Sequence, residues 1–140
     1  VAIAFPSLEF FEALKKRTLE AAPTFEKLGY CDTSFGLRTD DALYGIHFEV
    51  HECVGVEEGP DASKLDFILS ASGPVWREMV QSIVENGGAD AAHTLNTLSH
   101  LGDTIQVEYE DAEGHDRLYR YMATIQEFFD QAQHLELDLA

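Results

Sequence analysis

The run YCDTSFGLRTDDALYGIHFEVHECVGV, Tyr30 to Val56, decides the fold. Asp40-Asp41 is a polar two-residue turn that divides it into two stretches, 30–39 and 42–56. Each stretch alternates apolar and polar residues, the mark of a half-buried strand. If Thr39 stands opposite Ala42, then Leu37 meets Tyr44, Phe35 meets Ile46, Thr33 meets Phe48 and Cys31 meets Val50. That single register gives both strands one apolar face. Asp32, Ser34, Arg38, His47, Glu49 and His51 fall on the other. A slip of one residue would turn the apolar set to water, so the pattern specifies this hairpin strongly.

Working outward, Ser7–Ala22 reads as a helix with Ser7 as N-cap. Leu8, Phe11, Leu14, Thr18 and Ala22 form its apolar stripe, with Phe10 beside it. Pro23 ends the regular run and Gly29 closes a short extra turn. Beyond the hairpin, Lys64–Ser70 reads as a strand, and Ile68 on its polar side predicts cover on both faces. Gly73-Pro74 opens a helix whose stripe is Trp76, Met79, Val80, Ile83 and Val84, and Gly87-Gly88 stops it. A short helix is expected from Asp90, carrying Ala91, Leu95, Leu98 and Leu101. Thr104–Glu110 follows as a strand with Ile105, Val107 and Tyr109 on one face. Asp111–Gly114 reads as a turn. His115 to about His134 reads as one long helix, with Leu118, Met122, Ile125, Phe129 and Ala132 as its stripe and Tyr121 and Phe128 widening it. The expected class is α+β: a small, mostly antiparallel sheet with one apolar face covered by amphipathic helices. Residues 1–140 are expected to form one domain.

Composition excludes several functions. The 140 residues carry 26 Asp+Glu against 9 Lys+Arg, a formal net charge of −17. Both halves of the chain are acidic, and no basic patch appears. Nucleic acid is a poor partner for such a chain, and anionic membranes repel it. No apolar run approaches the ~20 residues that span a bilayer, and Val1–Pro6 lacks the pattern of a signal peptide. The expected setting is the cytoplasm, with Cys31 and Cys53 as reduced structural thiols.

Candidate chemistry is sparse. On one continuous strand, His47, Glu49, His51 and Cys53 would share a side, and these are residue types that zinc favours. His47 and His51 would then stand about 13 Å apart, too far for one ion. Facing them, Tyr30, Asp32 and Ser34 add no third imidazole or thiolate, so no metal site is expected. His93 and His100 sit off their helix's apolar stripe, and His115 and His134 have no partner visible in the sequence. The chain has no GxSxG, HExxH, P-loop or GxGxxG motif. The paired acidic residues Glu57-Glu58 and Glu108/Glu110/Asp111 read as solvated faces. What stands out is the store of large apolar side chains: nine Phe, five Tyr, one Trp and two Met. Such residues fill a core or line a cavity, and composition does not separate the two.

Phe5-Pro6-Ser7-Leu8-Glu9-Phe10-Phe11-Glu12-Ala13-Leu14, the hairpin, Leu65-Asp66-Phe67-Ile68-Leu69-Ser70 and Gly73-Pro74-Val75-Trp76-Arg77-Glu78-Met79-Val80 follow one another in an order that resembles the sterol carrier protein-2 family of lipid-binding domains. The resemblance runs loosely over residues 5–110, and order and spacing carry it. Leu101-Gly102-Asp103 echoes part of that family's glycine-aspartate segment. The resemblance implies a helical layer over a sheet, with an apolar tunnel between them for a sterol, fatty acid or acyl-CoA. It implies no catalytic residue and no cofactor. Carried over by element, Trp76, Met79, Val80 and Ile83 match the helix bordering the tunnel. Phe35, Ile46, Phe48 and Phe67 lie on the inward sheet face in the register above. Met122, Ile125 and Phe129 lie on the last helix, which often covers the tunnel mouth in that family.

Two other functions compete with this expectation. A small cone-like α+β enzyme, isomerase- or cyclase-like, would place Asp66 or His47 as acid or base inside an apolar pocket. An accessory subunit would dock on a partner, or on a second copy, through its last helix, with Tyr119 in the interface.

Overall fold

The computed structural model describes residues 2–89, 93–95, 98, 104–109 and 112–139. Its elements run β1 (Ile3–Ala4), α1 (Leu8–Glu20), α2 (Ala22–Leu28), β2 (Thr33–Thr39), β3 (Ala42–Glu49), β4 (Glu52–Glu58), β5 (Phe67–Ala71), α3 (Gly73–Asn86), β6 (Gln106–Glu108), α4 (Ala112–Arg120), α5 (Met122–Asp130) and β7 (Leu137–Asp138). Short 3-10 turns occupy Ala62–Lys64 and Gln131–His134. The class is α+β, as expected.

The hairpin pairs Thr33 with Phe48, Phe35 with Ile46, Leu37 with Tyr44 and Thr39 with Ala42. All of these inward side chains except Ala42 are buried. The sheet order is β4-β3-β2-β5-β6. β5 runs parallel to β2, placing Phe35 opposite Phe67, and the other three pairings are antiparallel. Ile68 is buried on the outer face, where a Cβ on Gly36 would meet Leu65, Leu43 and Ile68 side chains. The predicted two-sided cover of this strand is therefore present.

The second hairpin strand is not continuous. It turns at Val50-His51, and β4 comes back antiparallel to β3, with Glu49 opposite Glu52. Val50 takes a left-handed φ of 58°. Its N–H donates to Asp32 Oδ1 at 3.1 Å, and its carbonyl accepts the Cys31 N–H at 2.8 Å. Long-range partners thus hold a turn whose own residues lack turn chemistry. The register then shifts between His47 and Phe48, leaving Val54 as the extra residue of a bulge. As a result Cys53 lies opposite Phe48 and is buried, while His47 lies on the outer face. The expected common face of His47, Glu49, His51 and Cys53 does not form.

Ser7 caps α1 by accepting the Phe10 N–H at 3.1 Å. Phe10, Phe11, Leu14 and Thr18 are buried on this helix. Thr18 Oγ1 also accepts the Cys53 N–H, which binds α1 to β4. α3 buries Trp76, Met79, Val80 and Ile83 and ends on left-handed Gly87. Val84, predicted on its stripe, is exposed, while Ile83 beside it is buried.

The long last helix is bent. α4 ends at Arg120, and α5 starts at Met122 after Tyr121 at φ −107°, ψ 11°. The bend lets α4 lie against β5 while α5 meets α1, α2 and α3. α4 begins at Ala112, so the expected turn at 111–114 is mostly helix, and His115 lies within it. The strand expected at 64–70 forms at Phe67–Ala71, and that expected at 104–110 forms at Gln106–Glu108, with Tyr109 exposed. The expected short helix falls largely outside the described residues, as do His100 and Leu101-Gly102-Asp103. Leu95 and Leu98 from that region pack on the core. Finally, β1 and β7 pair in parallel, Ile3 with Leu137, and tie the two ends of the described chain together.

Candidate functional site between sheet and helices

β2, β3 and β5 present Phe35, Ile46, Phe48 and Phe67 to the helical layer. α3 answers with Trp76, Met79, Val80 and Ile83, and α5 with Ile125 and Phe129. All ten are at most 2% exposed and belong to one continuous apolar cluster. Met122, the eleventh predicted residue, is partly buried and packs on its edge.

Aromatic rings dominate this layer. Phe35 stacks on Phe67 at 5.5 Å and on Phe48 at 6.4 Å. Phe48 meets the edge of Phe128 at 5.3 Å, Phe128 meets Phe129 at 5.5 Å, and Phe129 stacks on Trp76 at 6.2 Å. The chain of rings thus crosses from sheet to α5 to α3. Phe128 is its bridge, a residue the sequence marked only as widening a stripe. Trp76 is also held by its ring N–H, which donates to the Arg38 carbonyl at 2.9 Å. The ten buried lining residues leave almost no apolar surface of this layer open to solvent.

Polar features lie outside the layer. A pocket of about 420 Å³ on the outer sheet face includes Asp32, Ser34, His47, Glu49 and Asp66 in its lining. His47 Nδ1 and Ser34 Oγ are hydrogen-bonded at 2.8 Å, and His47 Nε2 stands 3.9 Å from Glu57. Asp66 accepts from Arg117 at 2.6 Å, from the Thr33 hydroxyl at 2.7 Å and from the Ser34 N–H at 3.0 Å. It ties α4 to β2 in a polar setting, which departs from the expected apolar pocket around an acid/base carboxyl. Cys31 and Cys53 are free and buried, and burial pushes both thiols up to about 12, so they stay protonated and unreactive at neutral pH. Among the described residues no group of three or more His, Cys, Asp or Glu is placed to hold a metal ion. Among them, too, no helix is long and apolar enough to cross a membrane.

In overall shape the chain is similar to a crystal structure of sterol carrier protein 2, with a TM-score of 0.66, 14% identity, and cover of 92% of this chain and 97% of that one. The chain has an SCP2-like fold. TT1886, a conserved hypothetical protein of Thermus thermophilus described as a candidate sterol carrier protein, is similar too. Its TM-score is 0.60 at 14% identity, with 100% of this chain and 99% of that one covered. No protein-family model matches the sequence, and no curated protein matches it significantly. The SCP2-like fold replaces the cone-like architecture of the competing enzyme expectation. The eleven predicted residues lie in or at the edge of the layer between sheet and helices.

Proposed function

We propose that this chain is a single-domain, non-catalytic binding protein for a hydrophobic ligand of the sterol, fatty acid or acyl-CoA class. The SCP2-like fold over 92% of the chain carries this reading, because one solved neighbour is itself a sterol carrier protein. The ring-lined layer supplies the chemistry. An apolar chain leaving water contributes about 0.8 kcal/mol for each buried CH₂. That gain has to exceed the cost of separating α3 and α5 from the sheet, so long chains bind and short ones do not. Phe35, Ile46, Phe48, Phe67, Trp76, Met79, Val80, Ile83, Met122, Ile125 and Phe129 would line the opened space. No cofactor takes part. Reduced thiols and the acidic surface suit a cytoplasmic carrier.

Native mass spectrometry of the freshly purified protein, followed by solvent extraction, tests this. The expected result is a co-purified mass released as a lipid, or uptake of one added long-chain acid per chain. A clean mass that takes up no long-chain lipid would refute the carrier function. A Met79→Glu variant places an unpaired carboxylate in the layer and is expected to abolish uptake. Because Met79 is fully buried, circular dichroism must first show that the variant folds.

A further inference from the structure

Four of the five arginines are held by carboxylates. Arg17 pairs with Glu20, Arg38 with Glu108, Arg117 with Asp66 and Arg120 with Asp116. Among the described residues Arg77 finds no ion pair or hydrogen bond for its guanidinium, although acids outnumber bases 26 to 9 in the chain. Its Nε is buried and lacks an acceptor. A buried N–H with nothing to donate to is costly, and more so on a charged group. The guanidinium folds back along α3: a Cβ on Gly73 would stand 3.4 Å from both Nη atoms and 2.6 Å from Asp40 Oδ2. Asp40 is engaged elsewhere, accepting the Gly73 N–H at 3.1 Å, and forms no ion pair with Arg77.

Arg77 lines a groove of about 370 Å³ on the outer side of α3. The groove runs past Gln81 to Glu85, about 12 Å along the helix. His93 and Leu139 belong to its wall. Its two carboxylates, Glu78 and Glu85, form no ion pair with Arg77. Glu85 accepts from Gln81 at 2.7 Å, and Glu78 stands 3.9 Å from His93. A planar guanidinium with free N–H groups matches a carboxylate in shape and charge. One unpaired positive charge balances one negative charge. Glu78 and Glu85 repel any anion in the groove, and a dianion about twice as strongly as a monoanion, so one charge is the most that Arg77 offsets. The volume exceeds that of an inorganic ion and falls in the range of small-molecule pockets.

We propose that this groove binds a small organic monocarboxylate, with its carboxylate on Arg77 and its body across the aliphatic stems of Gln81 and Glu85 toward Leu139. The site is independent of the sheet–helix layer, since Trp76, Met79, Val80 and Ile83 leave the opposite side of the same helix.

Sodium octanoate is the probe, titrated into isotopically labelled full-length protein and followed by NMR near neutral pH. Saturable shifts are expected at Arg77, Gln81 and His93, with Trp76 and Phe129 unmoved. Arg77→Gln is expected to weaken binding about tenfold or more, from the loss of charge-assisted hydrogen bonds. Arg77→Lys is expected to restore part of it, and octanol to leave the groove resonances unchanged. Equal affinity in Arg77→Gln, shifts confined to the sheet–helix layer, or no saturation up to the solubility limit would overturn the site. Tighter binding of octyl phosphate than of octanoate would overturn the choice of a monoanion. Failure of lipid uptake in the layer would leave these readings intact, so the two proposals fail separately.

Discussion

Gly114 sits where no side chain fits. A Cβ there would come 2.1 Å from the backbone oxygen of Asp66, so α4 touches the chain leading into β5 through bare backbone. Gly114→Ala would force α4 outward and is expected to cost about 1–3 kcal/mol, read as a lower urea midpoint. Asp130 shows the opposite kind of constraint. Burial raises its carboxyl above the ordinary value of 3.8, and its hydrogen bonds from Gln126 and the Ala89 N–H offset this only in part. A folded-state value above the unfolded one means that the fold prefers the protonated form. The associated stability is fully present below about pH 3.8 and is lost as pH rises through the raised folded value. Asp130→Asn keeps an oxygen for both donors, which share Oδ1. The variant is expected to be more stable than the parent at neutral pH, with the gap closing toward pH 3.8. A gap that widens on acidification would show that the charged form is the one the fold favours.

At the scale of elements, the β3–β4 connection carries local strain. Val50 is β-branched, yet it holds φ at 58° in a two-residue turn. Its backbone contacts to Asp32 and Cys31 do not depend on its side chain, which is largely exposed. Val50→Asn is expected to stabilise the chain by about 1 kcal/mol, measured as a higher urea midpoint. An unchanged or lower midpoint would mean that the valine side chain contributes packing worth as much as the strain. The same turn explains what was illegible in the sequence. Period-two alternation revealed the β2–β3 register, because one slip would have exposed Phe35, Ile46 and Phe48. It also ran on past residue 49 without a Gly, Asn or Pro to mark a stop. Asp32 and Cys31 impose that stop from the segment that leads into β2. The bend at Tyr121 was hidden for a similar reason. Its helical hydrogen bonds continue, with the Tyr121 N–H on Arg117 and the Ile125 N–H on Tyr121, while two different packing partners turn the axis. β1 and β7, of two residues each, exist only through each other.

At the scale of the molecule, α+β layering follows from amphipathic helices that need the one apolar sheet face. The parallel β2–β5 pairing does not follow, since local pattern is silent about which strands become neighbours. The candidate lining residues were legible as a set of apolar faces, and the structure unites them. Whether such a set is a core or an openable cavity depends on the cost of moving α3 and α5, which no residue pattern encodes. The Arg77 groove was illegible for another reason: an arginine's lack of a partner appears only when its neighbours are placed. Trp76 makes ligand entry into the layer measurable, because it is the one tryptophan and lies against Phe129. The decisive measurement is energy transfer from Trp76 to cis-parinaric acid, a fluorescent long-chain fatty acid, during titration of the intact protein. Saturable quenching of Trp76 at one ligand per chain is expected, reversed by an unlabelled long-chain acid and unaffected by Arg77→Gln. Trp76 emission that stays constant across the titration would contradict ligand entry and leave the layer a filled core.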